Sequence, residues 1–247
     1  MTRVSVVIPA LNDSVMLAAC LRALDRQTRP ADEIIVVDNG STDDTAAVAQ
    51  ARGARVVLEP VRGIFPATAA GFDAAAFDIL ARLDADSVPP PDWIERVVSA
   101  FETDDHLDLL SGPGDFYGST PLVHWAAEHV YIGGYVWFVG WILGHDILFG
   151  SNLALRATAW GRLRLTVHRS MREIHDDLDL TIHVEPDMGV RFDRTLRVGV
   201  SARPFESLPG LWRRLSWAFT TLGLNQRERS LLSRRAERRR HERAAVN

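Results

Sequence analysis

The 247-residue chain contains no lysine: all 28 of its basic residues are arginine. Against 32 acids they leave a net charge of −4, so no global basicity points to a nucleic-acid partner. There is one cysteine, Cys20, which excludes a disulfide framework and a cysteine-based zinc site. It lies in an apolar helical stretch and reads as a buried structural thiol. Long apolar runs are missing too. Residues 130–144, "VYIGGYVWFVGWILG", carry no charge, but the run falls short of the roughly 20 residues that cross a bilayer. The first residues enter a strand pattern directly, without an apolar export signal, and a cytoplasmic protein is expected. Nor is there a glycine-rich phosphate loop. The first strand–helix turn reads "PALNDS", with neither G-x-G-x-x-G nor a P-loop lysine, which argues against a dinucleotide or P-loop site.

What is present is an ordinary folding composition, 47% hydrophobic and 24% charged, enough for a sizeable core. "RVSVVIPA" is a β-branched apolar run and predicts a buried strand. Asn12, Asp13 and Ser14 can cap the helix "SVMLAACLRALDRQ", whose Met16, Leu17, Cys20, Leu21 and Leu24 share a face. "DEIIVVDNG", "ARVVLEP" and "FDILARLD" predict three more strands. The helices "STDDTAAVAQARG", "PATAAGFDAA" and "PDWIERVVSAFE" lie between and after them. Such alternation predicts an α/β fold, Rossmann-like, with a mostly parallel central sheet flanked by helices. Ligands of such sheets bind beyond the carboxyl ends of the strands. Three strands end at polar stretches, Asn12-Asp13, Asp38-Asn39 and Asp84 to Asp86, and these should gather at one edge.

From about residue 105 the pattern changes. "LDLLSGPG" and "GSNLALR" predict strands, "ATAW" a short helix, and "VRFDRTLRVGVSAR" two short strands. "HDDLDLTIHVE" predicts a helix whose acidic start suits the positive N-terminus of a helix. Residues 130–144 predict a buried or interface helix, with a membrane-surface role as the other reading. "FESLPGLWRRLSWAFTTLGL" is amphipathic, and "RERSLLSRRAERRRHER" sets eight arginines against three glutamates. A basic amphipathic end either lies on an anionic membrane or remains a solvated, partly disordered tail.

"ARLDADSVPPPDW" places Asp84 and Asp86 two apart, ahead of three prolines. Alone, the pair reads either as turn residues or as groups that hold a divalent cation against a phosphate. Its companions narrow the choice. "SVVIPALND", "IIVVDNGSTDDT" and "ARLDADS" occur in that order, and "GSNLALRATAW" and "HDDLDL" follow. Over residues 3 to about 203 this set resembles the inverting GT-A glycosyltransferases of family 2, which use nucleotide-sugars.

The resemblance implies a glycosyltransferase domain over residues 1–226. Residues 1–104 would be its nucleotide-sugar half and 105–203 its acceptor and catalytic half, with 227–247 a basic tail. It implies that Pro9, Ala10, Asp13, Asp38, Gly63, Arg82 and Asp84 face the nucleotide-sugar. Asp86 would bind Mn²⁺ or Mg²⁺. Ser151, Asn152, Asp176 and Trp141 would line the acceptor side, and Asp177 would be the general base. A hydroxyl is a weak nucleophile, so a positioned carboxylate must take its proton, while the metal stabilises the departing diphosphate. One displacement inverts the anomeric centre. Adjacent acids at 176 and 177 push one pKa up, which suits a base, although both also suit an acidic helix cap.

The chain departs from the family pattern in places. Leu11 stands where an aromatic often stacks on the base. Thr68 and Ala69 replace an Arg-Asn pair, with Arg62 or Arg82 as candidate substitutes for the lost charge. The late histidine that often completes the metal site is missing. His183, six residues past Asp177, reads either as a ligand or as a packing histidine, and His175 is placed to touch the acceptor. "WRRLSW" lacks the glutamine of processive members, which favours addition of a single sugar. The expected partners are therefore a nucleotide-sugar donor, with a UDP-sugar favoured, and an acceptor with a free hydroxyl, lipid-linked among the options. Peripheral contact with the inner face of the membrane and a homodimer contact are further expectations for the Trp-rich run. The rival reading is a non-catalytic nucleotide-sugar or membrane-surface binding protein on the same fold.

Overall fold

The computed structural model describes residues 1–118, 133–203 and 208–246. Residues 130–132 of the charge-free run and 205–207 of the amphipathic segment lie outside the described residues. The first half alternates as its apolar runs dictate: β1 (Val4–Ala10), α1 (Ser14–Leu24), β2 (Glu33–Asp38), α2 (Thr45–Ala51), β3 (Arg55–Leu58), α3 (Ile64–Ala74), β4 (Ile79–Arg82) and α4 (Trp93–Thr103). The second half adds β5 (Leu107–Ser111), β6 (Gly114–Tyr117), α5 (Gly133–Leu143), β7 (Leu153–Arg156), α6 (Ala157–Leu163), α7 (Asp176–His183), β8 (Gly189–Phe192), β9 (Val198–Ser201), α8 (Leu208–Glu228) and α9 (Leu231–Val246).

Seven strands form one sheet in the order β3-β2-β1-β4-β7-β5-β8. β7 runs antiparallel to both its neighbours, β4 and β5, and the remaining pairings are parallel. Chain order reverses around β1: β2 and β3 lie on one side and β4 on the other. Such a switch point opens a crevice at the carboxyl ends of the strands. The register places Asp38 opposite Ala10, and Arg82 opposite Val7. The chain leaving β4 therefore runs beside the end of β1.

β1 is buried along its whole length, as expected for a parallel strand covered on both faces. Its side chains alternate. Val4, Val6 and Ile8 pack with Leu17, Leu21, Ile94, Val97 and Phe101 from α1 and α4. Val7 packs on the other face with Phe65, Phe72, Trp160 and Leu180 from α3, α6 and α7. Each fully buried Leu, Ile or Phe contributes roughly 1.5–3 kcal/mol, so these two layers fix the strand ends that carry the polar residues. Cys20 is fully buried in the first layer, the structural thiol expected.

A smaller third layer joins Val139 and Leu143 of α5, Leu178 and Ile182 of α7, and Leu231 of α9. Only one side of α5 is buried this way. Trp137, Phe138 and Trp141 are exposed, so the segment is an interface helix with an open aromatic side. The basic end differs from a disordered tail. It folds as α9, because Leu231 anchors it and its arginines reach carbonyls at the end of α7 and just beyond it. Arg238 Nη2 donates to the Glu185 carbonyl at 2.7 Å, and Arg234 Nη1 to that of Ile182 at 3.3 Å. No described helix is long and apolar enough to cross a membrane.

Candidate active site

Three loops meet beyond β1, β2 and β4. Asn12, in the first, has a positive φ of 52°, a conformation that Asn tolerates better than most residues. Its Oδ1 accepts from the Thr42 amide at 2.7 Å, and its own amide donates to Ser41 Oγ at 3.0 Å. Asp38 ends β2 and accepts from the Ser41 amide at 2.8 Å. Asn39 turns inward. Its Nδ2 donates to the carbonyls of Glu59 and Val61, and its Oδ1 accepts from the Gly63 amide. Gly63 has φ 149°, and a Cβ there would stand 3.0 Å from Pro66 Cδ. The loop thus requires glycine for its own conformation, and its amide is already taken.

Asp13 sits at the N-cap of α1 but makes no side-chain cap bond. The amide of Ser14 is satisfied instead from the second loop, by Asp43 Oδ2 at 3.1 Å. The Asp13 carboxylate is held by Arg203, whose Nη2 lies 3.0 Å from Oδ2 and 3.1 Å from Oδ1. The same guanidinium lies 3.4 Å from Asp86 Oδ2. Arg203 stands two residues past the end of β9, which pairs in parallel with β6 and is tied to the third loop by the Val88–Gly199 bridge. Tyr117 of β6 fastens that loop by donating to the Asp86 carbonyl at 2.6 Å. Burial, with the Asp84 charge beside it, pushes the Asp86 carboxyl up to about 6, against the pull of Arg203.

Asp84 and Asp177 converge on one tripeptide, Gly150-Ser151-Asn152. Ser151 Oγ donates to Asp84 Oδ2 at 2.5 Å, and the Gly150 amide donates to Asp177 Oδ2 at 3.1 Å. Asp177 Oδ1 accepts from the Leu178 amide at 2.8 Å in the first turn of α7, where a negative charge is favoured. Its side chain remains partly exposed, at 17%. Asp176 turns the other way and is buried. It lies 2.9 Å from Arg82 Nη1 and accepts from Thr68 Oγ1 at 3.0 Å. Arg82, 2% exposed, also holds Asp84 Oδ1 at 2.6 Å. Burial pushes the Asp176 carboxyl up, and the Arg82 charge pulls it back only in part.

The expected residues therefore separate. Pro9, Ala10, Asp13, Asp38, Asp84, Asp86, Ser151 and Asp177 lie around the crevice. Arg82 is a buried crosslink between Asp84 and Asp176, which removes it as a surface contact for a phosphate. Arg62 is exposed and donates to the Gly40 carbonyl. Asn152 is also internal. Its Oδ1 accepts from Trp93 Nε1 at 2.9 Å, and its Nδ2 donates to the Leu196 carbonyl at 2.6 Å, because β7 must be tied to α4 and to the approach of β9. Trp141 stands under the Arg235 guanidinium at 5.3 Å. His175 bonds through Nε2 to the Arg214 carbonyl, and its Nδ1 lies 3.9 Å from Asp177 Oδ1. His183 stands buried at α7's far end, away from the crevice, with Nδ1 bonded to the Asp179 carbonyl. Sequence reasoning missed Arg203 and Tyr117. The one signal for Arg203 is its place shortly after a strand, which 27 other arginines dilute.

Residues 5–162 match Glycosyl transferase family 2, well over half of the chain. The chain belongs to that family. It is 42% identical over 109 residues to an uncharacterized glycosyltransferase of Mycobacterium bovis, a match covering 44% of this chain and 47% of that one. It is 37% identical over 109 residues to the undecaprenyl-phosphate 4-deoxy-4-formamido-L-arabinose transferase of Pseudomonas fluorescens, covering 40% and 32%. The matched segment thus spans less than half the length of these relatives. Among solved structures, glucosyl-3-phosphoglycerate synthase of Mycobacterium tuberculosis in complex with UDP superposes with a TM-score of 0.65 at 25% identity, over 95% of this chain and 80% of that one. The same enzyme with Mn²⁺, UDP and glucosyl-3-phosphoglycerate gives 0.57 at 24%, over 81% and 71%. These likenesses agree with the GT-A arrangement of a mostly parallel sheet flanked by helices.

Proposed function

We propose that this glycosyltransferase moves one sugar from a nucleotide-sugar, with a UDP-sugar favoured, to an acceptor hydroxyl by a single inverting displacement. The observation that carries the reading is the Gly150–Ser151 junction. Adjacent residues there hold Asp84, on the donor side, and Asp177, the candidate base, so the two roles share one rigid segment. Asp177 is partly exposed and aligned by two backbone amides. It can take the proton of an attacking hydroxyl while Asp38 and the first loop hold the nucleoside.

The donor set fits a hard divalent cation. Asp86, with Asp13 and Asp84 near it, offers carboxylate oxygens of the kind Mn²⁺ and Mg²⁺ take, and a guanidinium already stands between Asp13 and Asp86 as a cationic stand-in. Such an ion, when bound, would neutralise charge on the departing diphosphate. Asp86 would hold it. Arg82 positions Asp84 and Asp176 from below.

For the acceptor, the reading favours a lipid-linked or cell-envelope hydroxyl, met by a protein lying peripherally on the membrane. The exposed Trp137, Phe138 and Trp141 of α5, with Trp212 and Phe219 of α8, support this. The P. fluorescens relative, whose name specifies undecaprenyl phosphate, supports it as well. The test is a thermal-shift screen of UDP-, GDP- and dTDP-sugars with and without Mn²⁺, since a bound ligand raises the melting point. With an active donor found, Asp177→Asn abolishes transfer yet keeps donor binding. Unchanged turnover in Asp177→Asn would remove it as the base.

A further inference from the structure

α7 begins at the candidate active site and ends at a separate cluster, roughly 10 Å further along at 1.5 Å per residue. His183 is the last residue of α7, Glu228 the last of α8, and His168 lies between α6 and α7. One potential ligand atom from each lies within 4.8 Å of the other two. Nε2 of His168 is 2.9 Å from Glu228 Oε1. The other nitrogen of each ring is committed to a single residue, Asp179, which is fully buried. His168 Nδ1 lies 2.8 Å from Asp179 Oδ1, and His183 Nδ1 lies 2.8 Å from the Asp179 carbonyl.

This pattern has a chemical consequence. A carbonyl only accepts, so His183 Nδ1 carries the proton and Nε2 carries the lone pair of the neutral ring. Asp179 likewise accepts from His168 Nδ1 and leaves Nε2 facing Glu228. Metal-binding histidines are oriented in this way, with the non-ligating N–H held by a carboxylate or carbonyl. Asp179 is itself fixed, by the His168 amide at 2.9 Å and by Asn225 Nδ2 at 2.8 Å. Two orienting bonds to one buried aspartate, an open Nε2 on His183 and a His168 Nε2 that meets only a half-exposed carboxylate are more than packing of α7 against α8 requires.

We infer that His168, His183 and Glu228 form a second metal site, separate from Asp86, for a divalent transition ion such as Zn²⁺, with water in the fourth position. Two imidazoles and one carboxylate are a donor set that zinc takes. Ligands at about 2.0–2.2 Å around a tetrahedral ion stand roughly 3.4 Å from one another, so the His168–Glu228 pair, now at 2.9 Å, must open while any wider separation, up to 4.8 Å, narrows. Glu228, half exposed on the last turn of α8, is the ligand free to move, giving up its bond to His168 as the ion enters. Charge permits this: of the arginines that line the cavity beside His183, Arg229 is paired with Glu237, while Arg234 Nη1 and Arg238 Nη2 are bonded to the Ile182 and Glu185 carbonyls, and Asp179 and Glu228 face the two rings. The bound ion would clasp the end of α8 and the segment before α7 onto the helix that presents Asp176 and Asp177. Its role is to hold those acids in place, without touching substrate.

The experiment uses the tag-free full chain carrying Asp86→Ala, so that the donor-side carboxylate cannot account for binding. Zn²⁺ is titrated by calorimetry and equilibrium dialysis near pH 7.5, and Co²⁺ is added separately for its absorption spectrum. One Zn²⁺ per chain is expected, with a raised melting point and a Co²⁺ spectrum of imidazole–carboxylate type. Glu228→Gln and His168→Gln each weaken Zn²⁺ binding by 100-fold or more. Asp179→Asn weakens it 10–100-fold, the loss typical of removing an orienting partner. Glu228 is solvent-facing, so its variant folds whatever the role of the cluster. Stoichiometry below one in the Asp86→Ala protein, or unchanged Zn²⁺ affinity in Glu228→Gln, overturns the inference.

Discussion

Arg82→Met tests whether the buried ion cluster beneath the crevice is a structural keystone. The wild-type guanidinium is 2% exposed and lies 2.6 Å from Asp84 and 2.9 Å from Asp176. Methionine fills much of the stem's volume but leaves Asp176 buried without a cation, beside the charges of Asp84 and Asp177. Removing one partner of a buried pair costs about 3–5 kcal/mol, because the other charge stays desolvated. At about 2–4 °C per kcal/mol for a chain of this size, the melting point falls by roughly 6–20 °C. The loss also depends on pH. An aspartate in the unfolded chain titrates near 3.9. In the folded variant the uncompensated Asp176 holds its proton to higher pH than in wild type. Between those values the folded state binds more protons than the unfolded state, so its stability falls as pH rises. The deficit relative to wild type is therefore larger at pH 8 than at pH 5. Urea unfolding at both pH values, analysed for the midpoint and slope, measures it. Arg82→Lys, which keeps a charge but reaches one partner, falls between the two. A deficit under about 1 kcal/mol at pH 8, or an equal deficit at both pH values, would refute the reasoning.

Gly150→Ala places a Cβ 2.2 Å from Arg82 Nη1, and two ion pairs resist the shift it demands. A loss of about 1–3 kcal/mol is expected in denaturant unfolding, together with weaker donor binding as Asp84 moves. Asn152→Ala strands the Trp93 indole N–H and the Leu196 carbonyl, at about 1–3 kcal/mol for each buried group. If Asn152 instead served the acceptor, acceptor KM would change with the melting point intact. The Asp86 carboxyl, raised to about 6 by burial, must lose its proton to bind a cation. Mn²⁺ affinity measured by calorimetry is thus steady above that pH and falls about tenfold per unit below it. Affinity flat from pH 7 to pH 4.5 would remove Asp86 as the ligand.

The parts of this molecule that were legible in its sequence are those written locally. β1, β2 and β4 are apolar runs of strand length that stop at Asn12, Asp38 and Asp84, and parallel packing puts such stops at one edge without further information. Fold class and the carboxylates at the strand ends followed from that. The illegible parts depend on pairing at long range. Arg203 meets Asp13 across 190 residues, delivered by the parallel pairing of β6 with β9 and the Val88–Gly199 bridge, neither of which has a sequence signature. Asn152 reads as a surface amide because nothing local says that Trp93 lies against it. The basic end reads as a solvated tail because eight arginines dominate its composition, yet its docking depends on Leu231 and on carbonyls at the end of α7 and just beyond it.

Asp176 and Asp177 show the same division within two residues. By sequence they are interchangeable: adjacent acids at a helix start, each suited to a cap, a base or a ligand. In a helix of 3.6 residues per turn, neighbours point about 100° apart, so one face cannot serve both. Since α7 packs its inner side on α3, Asp176 falls inward to Thr68 and Arg82, and Asp177 falls outward to the Gly150 amide. The raised carboxyl is therefore the buried one, which has no route to an acceptor hydroxyl, and the exposed one is set by backbone amides. Had α7 been rotated by one residue, Asp177 would be the buried partner of Arg82. The packing of Leu178, Leu180 and Ile182 prevents that rotation, because all three would leave their apolar contacts together. Which of the two acids is open to serve as the proposed base thus rests on apolar residues one turn away, a dependence that a motif alone does not carry.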